Sequence, residues 1–182
     1  MDPAGITVNY FYLFLTGVLV LLNGFFTAAE FALVRVRGSQ IELKVKTGSR
    51  VAKVTRSIMG NLDGYLAATQ LGITIASLGL GVFGEEVFTD IMLVAFKSFG
   101  VVITSSFVIT LSRVIAFILI TFLSIVFGEL APKNIAIQRS VRTALAVSTP
   151  LRFFFVVFRP VIWVLNRFAG VILKMLGIKE FE

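Results

Sequence analysis

The sequence predicts an all-α membrane protein with three transmembrane helices and amphipathic helices beside them, and three observations carry that prediction. The chain is 57% hydrophobic and only 15% charged, with 19 Phe among 182 residues, and its mean hydropathy of +0.96 is far above that of a soluble domain. Its apolar residues are gathered into runs of the length a bilayer core requires, about 20 residues. Its Lys and Arg fall in alternate connections between those runs, as the positive-inside rule demands.

The first span extends from about Tyr10 to Val34. Met1 to Val8 carries no basic n-region and no polar cleavage site follows the apolar run, so this span is expected to stay in place as its own insertion signal. Arg35, Arg37, Lys44, Lys46, Arg50, Lys53 and Arg56 then stand against a single acid, Glu42, which assigns this connection to the cytoplasm. Within it, Ser39 to Met59 interleaves apolar and basic residues as an in-plane surface helix does.

The second span covers about Leu62 to Phe83 and is followed by Glu85, Glu86 and Asp90 against Lys97, an outer connection. Gly79, Gly81 and Gly84 match the dinucleotide fingerprint G-x-G-x-x-G, but no βαβ unit surrounds them; helix packing and helix termination explain them better. The third span covers about Phe107 to Phe127, and Lys133, Arg139, Arg142, Arg152, Arg159, Arg167, Lys174 and Lys179 follow on the cytoplasmic side. Val147 to Leu176 is long enough to span, yet Arg152, Arg159, Arg167 and Lys174 recur through it and spoil it as a span. It reads as a surface helix, a collar around the spans or a dimer contact, with Pro150 and Pro160 starting or kinking separate helices.

The expected architecture is therefore one transmembrane domain over residues 1–182. Its spans lie near 10–34, 62–83 and 107–127 and its juxtamembrane helices near 39–59 and 135–178, with the N-terminus outside and the C-terminus inside.

Cysteine and histidine are both absent, which excludes disulfides, thiolate sites and imidazole-bound metals within this chain. Any metal must be held by oxygen. The net charge of +7 arises from cations that flank apolar spans, so anionic membrane lipids are the expected partner and nucleic acid is not. No nucleophile with a base and no phosphate loop is visible, so no enzyme is expected.

Each span carries a polar stripe. Thr16, Asn23, Thr27 and Glu30 share one face of the first helix, Gln70, Thr74, Ser77 and Gly81 one face of the second, and Thr110, Thr121, Ser124 and Gly128 recur along the third. Polar groups in hydrocarbon must find partners or water, so the stripes are expected to meet around a polar cavity, or else to glue neighbouring helices together. The amides of Asn23 and Gln70, each with four hydrogen-bonding positions, are harder to assign to packing than the hydroxyls. Glu129 is the most informative residue. It follows the apolar run Val114 to Phe127, where a carboxylate costs roughly 2.5 to 3.5 kcal/mol even on lenient insertion scales. Pro132, three residues on, cannot continue a regular helix and deprives nearby carbonyls of a donor. A carboxylate beside freed carbonyls suits a hard cation.

Three motifs in order, Asn23-Gly24-Phe25-Phe26-Thr27-Ala28-Ala29-Glu30-Phe31-Ala32-Leu33, Leu66-Ala67-Ala68-Thr69-Gln70-Leu71-Gly72-Ile73-Thr74-Ile75-Ala76-Ser77-Leu78 and Gly128-Glu129-Leu130-Ala131-Pro132-Lys133, resemble the transmembrane domain of the CorC and cyclin M family of magnesium transporters. The resemblance covers nearly the whole chain. It implies a homodimer in a cell membrane, in bacteria the inner membrane, that exports Mg²⁺ in exchange for Na⁺ by alternating access. It also implies cytoplasmic ATP-binding CBS domains, which this chain does not contain. The implied cation site uses Glu129 with the Gly128 carbonyl, completed by Asn23 and Thr27 from the first motif and Gln70 or Ser77 from the second. Animal relatives carry Asn at the positions of Ser77 and Glu30, so Glu30 is an added ligand, a Na⁺ or proton partner, or a structural group. The competing expectation is a cation-sensing membrane scaffold that transports nothing; continuous polar stripes favour transport.

Overall fold

The computed structural model describes residues 8–100 and 105–176, and these are helical with no strand among them. The helices are α1 (Tyr10–Arg35), α2 (Gly38–Lys46), α3 (Arg50–Met59), α4 (Leu62–Gly79), α5 (Glu85–Ser98), α6 (Ser106–Leu123), α7 (Ala131–Gln138) and α8 (Ser140–Met175). Two π-helical segments, Leu80–Gly84 and Ser124–Leu130, join α4 to α5 and α6 to α7. The closing Lys179 to Glu182 and the opening Met1 to Thr7 lie outside the described residues.

The chain divides into two compact units, one formed by Met1–Phe25 and Ile73–Pro132, the other by Phe26–Gly72 and Lys133–Glu182. In the first, α5 and α6 pack against each other. Its core is the cluster Leu19, Leu80 and Ile120, with Leu15, Val20, Phe83 and Phe88 against it. Glycines admit this packing: a Cβ on Gly79 would stand 2.9 Å from Leu19 Cδ1, and one on Gly84 would stand 2.7 Å from Ile120 Cγ1. Large apolar side chains cover the outside, among them Phe14, Phe107, Phe117 and Phe122. Exposure on that scale suits hydrocarbon rather than water.

The second unit is held by aromatic and small residues. Phe26 meets Phe154 with ring centroids 4.7 Å apart, Phe154 stacks on Phe158 at 4.4 Å, and Tyr65 stacks on Phe155 at 4.2 Å. Ala29, Ala32, Ala52, Ala68, Ala136 and Ala144 are fully buried. Between α3 and α8, Thr55 Oγ1 and Ser148 Oγ lie 2.8 Å apart with no exposure; one hydroxyl donates to the other, and the accepting one donates back to its own helix, to Val51 O if it is Thr55 or to Ala144 O if it is Ser148. The first half of α8 therefore serves as a collar packed on other helices.

Several expectations change. The helix beginning at Leu62 does not end at Phe83: the glycine run adopts a π segment and continues into α5, so Gly79, Gly81 and Gly84 do not terminate it. Gly81 is open, with nothing within 4 Å of a Cβ, while its two neighbours are packing positions. Residues 39–59 form two helices, not one. A Schellman turn divides them, with Gly48 at φ +87, Ser49 N–H donating to Lys44 O and Gly48 N–H donating to Val45 O. Pro150 and Pro160 lie inside a single helix α8 rather than starting separate ones; in an apolar setting neighbouring contacts sustain a helix through the missing N–H. Four helical stretches, Tyr10–Arg35, Leu62–Ser98, Ser106–Gln138 and Ser140–Met175, are long and apolar enough to cross a membrane. Length and composition thus admit α8 despite its cations.

The glycine geometry separates two similar substitutions. Gly72→Ala drives a Cβ to 2.5 Å from the Phe26 ring, which is buried and already packed in a tilted contact with Phe154, and should lower stability by about 1 to 3 kcal/mol. Gly81→Ala meets open space and should change stability by less than about 0.5 kcal/mol. Thermal unfolding of both purified variants in detergent, followed by Trp163 fluorescence, checks the contrast.

Candidate cation site

The buried stripe of α1 comes first. Thr16, Asn23 and Thr27 are all buried at 4% exposure or less, and none of Thr16 Oγ1, Asn23 Oδ1, Asn23 Nδ2 and Thr27 Oγ1 has a hydrogen-bond partner among the described residues. Leaving a buried polar group unpaired costs about 1 to 3 kcal/mol. Asn23 bears this twice, at 0% exposure. A group held in that state is available to a ligand.

The π segment Ser124–Leu130 faces this residue. Ala131 N–H donates to Val126 O, five residues back, the wide π register. Pro132, the second residue of α7, contributes no N–H, so the carbonyls four and five residues before it, Gly128 and Phe127, lose that donor. The expected helix break is thus a widened turn, with the carbonyl deficit kept. Two glycines bring this turn against α1. A Cβ on Gly24 would stand 3.0 Å from both Phe127 O and Pro132 Cγ, and a Cβ on Gly128 would stand 2.5 Å from Asn23 Nδ2. The amide O and N of Asn23 exchange by a half-turn of its terminal torsion, so either can face Gly128.

The structure therefore joins Asn23 to Gly128. Glu129, next in sequence, is exposed, and among the described residues it enters no ion pair. Ser77 is exposed on α4. In the second unit Thr27 is buried, Glu30 half-buried and Gln70 exposed. The second polar stripe, Gln70, Thr74, Ser77 and Gly81, lies on the outer surface of the single chain, as do Thr110 and Thr121 of the third. Lys133 holds its Nζ 4.6 Å from the centroid of Phe31, a cation–π contact. Among the described residues no three His, Cys, Asp or Glu side chains gather. Asn23 and the Gly128 carbonyl offer neutral oxygens, the donor type a hard ion takes.

Gly24 was not assigned to the site by sequence. An Asn-Gly pair inside an apolar run is the signal for Gly24, since Gly lets backbones approach closely.

Residues 14–182 match the family model described as cyclin M transmembrane N-terminal domain. Similar proteins include UPF0053 protein YhdT of Bacillus subtilis, 43% identical over 167 residues that cover 92% of this chain and 36% of that protein. YhdP of the same organism is 40% identical over 167 residues, covering 92% and 37%. An uncharacterized protein of Mycobacterium tuberculosis, Rv1841c, is 31% identical over 162 residues, covering 89% and 45%. The chain thus spans less than half the length of these relatives.

Because the Asn23 amide is unpaired, Asn23→Ala removes two buried polar atoms along with some packing, and the melting temperature should hold or rise. Leu19→Ala in the core should lower stability by about 2 to 5 kcal/mol. Melting curves of both variants without divalent ions give the comparison, and a large loss at Asn23 would assign it to packing.

Proposed function

The chain belongs to the cyclin M transmembrane N-terminal domain family, and on that premise we propose that it exports Mg²⁺ as a substrate across a cell membrane in exchange for Na⁺. One observation carries the proposal: a fully buried, unpaired amide, Asn23, held against Gly128 one residue before Glu129. In this reading Glu129 supplies the charge. The Gly128 carbonyl, the Asn23 amide oxygen, the Thr27 hydroxyl and either the Gln70 amide or the Ser77 hydroxyl supply neutral oxygens, and Glu30 is the Na⁺ or proton partner. Mg²⁺ prefers six oxygens at about 2.0 to 2.1 Å and sheds water reluctantly. A single carboxylate leaves a divalent ion under-neutralised, so binding is weak enough for release, as turnover requires.

Two further parts belong to the proposal. The working form is a homodimer, as the family resemblance implies, and an exposed hydroxyl on a membrane helix such as that of Ser77 fits a helix face covered by protein or water. The topology has three spans, with α8 and its four cations at the cytoplasmic interface, the N-terminus outside and, in bacteria, the inner membrane as the site.

Glu129→Gln keeps the size of the side chain and removes its charge. It should abolish or sharply weaken Mg²⁺ binding by calorimetry while folding is retained; unchanged affinity would sink the ligand assignment. In proteoliposomes, Thr27→Ala should lower Na⁺-driven Mg²⁺ flux far more than thermal stability, since one interhelical hydrogen bond is worth only about 0.6 to 2 kcal/mol. Flux that merely follows the folded fraction would favour a scaffold that transports nothing.

Cysteine labelling tests the topology. In this cysteine-free chain, Lys46→Cys and Met175→Cys should resist an impermeant thiol reagent in intact cells while Glu86→Cys reacts. Outside labelling of Lys46→Cys or Met175→Cys refutes the three-span arrangement.

A further inference from the structure

Between α2 and α3 lies an open cavity of about 330 Å³ lined by Val45, Lys53, Arg56 and Ser57. Lys53, Arg56 and Ser57 stand at i, i+3 and i+4 on one face of α3. The opposite face, Ala52, Thr55 and Ile58, is buried, and Thr55 is fastened to Ser148 of α8. Packing on one side thus commits the two cations to the other. The turn at Gly48 returns α3 alongside α2, and Ser49 caps α3 by accepting from Ala52 N–H at 3.3 Å.

The lining is a donor set. Arg56 Nη1 donates to Glu42 Oε1 at 3.3 Å, which orients the guanidinium while engaging one of its five N–H groups. An ammonium, the rest of a guanidinium and a hydroxyl are what a phosphate anion accepts from. Glu42 is the only acid in the sequence between α1 and α4, against Arg37, Lys44, Lys46, Arg50, Lys53 and Arg56. Val45 in the lining and the exposed Leu43 and Val51 nearby give the hairpin an apolar side.

Position selects the source of the phosphate. α2 begins just after α1 ends at Arg35, and α3 ends just before α4 begins at Leu62, so both ends of the hairpin are tied to helices long and apolar enough to cross a membrane. A basic, partly apolar hairpin in that position lies among lipid headgroups. We infer that the α2–α3 cleft is a binding site for the phosphate of an anionic phospholipid, held by Lys53, Arg56 and Ser57 with Glu42 positioning Arg56. The site shares no residue with the cation site and does not depend on it.

The test uses the purified full chain in phosphatidylcholine micelles doped with phosphatidylglycerol, with retained lipid counted by native mass spectrometry. The unaltered chain should retain phosphatidylglycerol over phosphatidylcholine, and Lys53→Ala with Arg56→Ala should weaken that retention roughly thirtyfold. Lys53→Arg should preserve it, as should Lys174→Ala, a control in the basic stripe of α8. Both altered side chains are exposed, so the double variant should fold; if its circular-dichroism melt is lost, Lys53→Gln alone gives the same reading. Equal retention by the double variant and the unaltered chain, or no preference for phosphatidylglycerol at all, overturns the proposal. Displacement of the lipid by millimolar inorganic phosphate also overturns it, because the cleft would then be a free-anion site.

Discussion

The close approach of α1 to the π segment before Pro132 is the constraint on which the candidate site rests. Gly24 and Gly128 have no Cβ at the two places where one would strike Phe127 O, Pro132 Cγ or the Asn23 amide. Asn23 is buried because the backbones come that near, and its amide lacks partners because the surface it meets is a glycine and not a hydrogen-bonding side chain. A larger residue at either glycine would part the two segments. The exposed Glu129 would then lose its buried amide neighbour across Gly128.

The π segments explain how the chain tolerates so many breakers without breaking. A π turn holds an extra residue relative to an α turn, and the excess rotates whatever follows by about one residue's worth of helix, roughly 100°. Ser124–Leu130 therefore brings Gly128 inward while Thr121 before it and Glu129 after it are exposed. The same device at Leu80–Gly84 buries Leu80 and Gly84 against Leu19 and Ile120 and leaves Gly81 facing out.

Much of this was legible in the sequence, and what was not has identifiable physical causes. The bounds of α1 are those of its apolar run, and the burial of Thr16, Asn23 and Thr27 follows from their shared face. The continuity of α4 into α5 was hidden, because three glycines resemble a stop signal and the packing that overrides them comes from residues distant in sequence, Leu19 and Ile120. Pro150 and Pro160 misled in the same way, since the contacts of Phe154, Phe155 and Phe158 that support the helix between them are tertiary. The outward-facing second stripe could not be anticipated from periodicity, which says that Gln70, Thr74 and Ser77 share a face but not what that face meets. Gly128 was found through its neighbour Glu129, and Gly24 was passed over because a glycine in an apolar run has several uses.

The division of the chain into units bears on how it is made. Each unit is assembled from separated segments, and α1 and α4 each begin in one and end in the other. A chain that emerges from the ribosome N-terminus first therefore cannot finish one unit and then start the next. The first lacks α6 until residues near Leu123 have been synthesised, and the second lacks α8 until residues beyond Ser140 have followed. Nascent α1 must wait, with its buried polar atoms unclothed, for partners that arrive a hundred or so residues later. Its assembly is governed by long-range contacts, the slow kind, and the period before closure is when insertion machinery or lipid must shield Asn23.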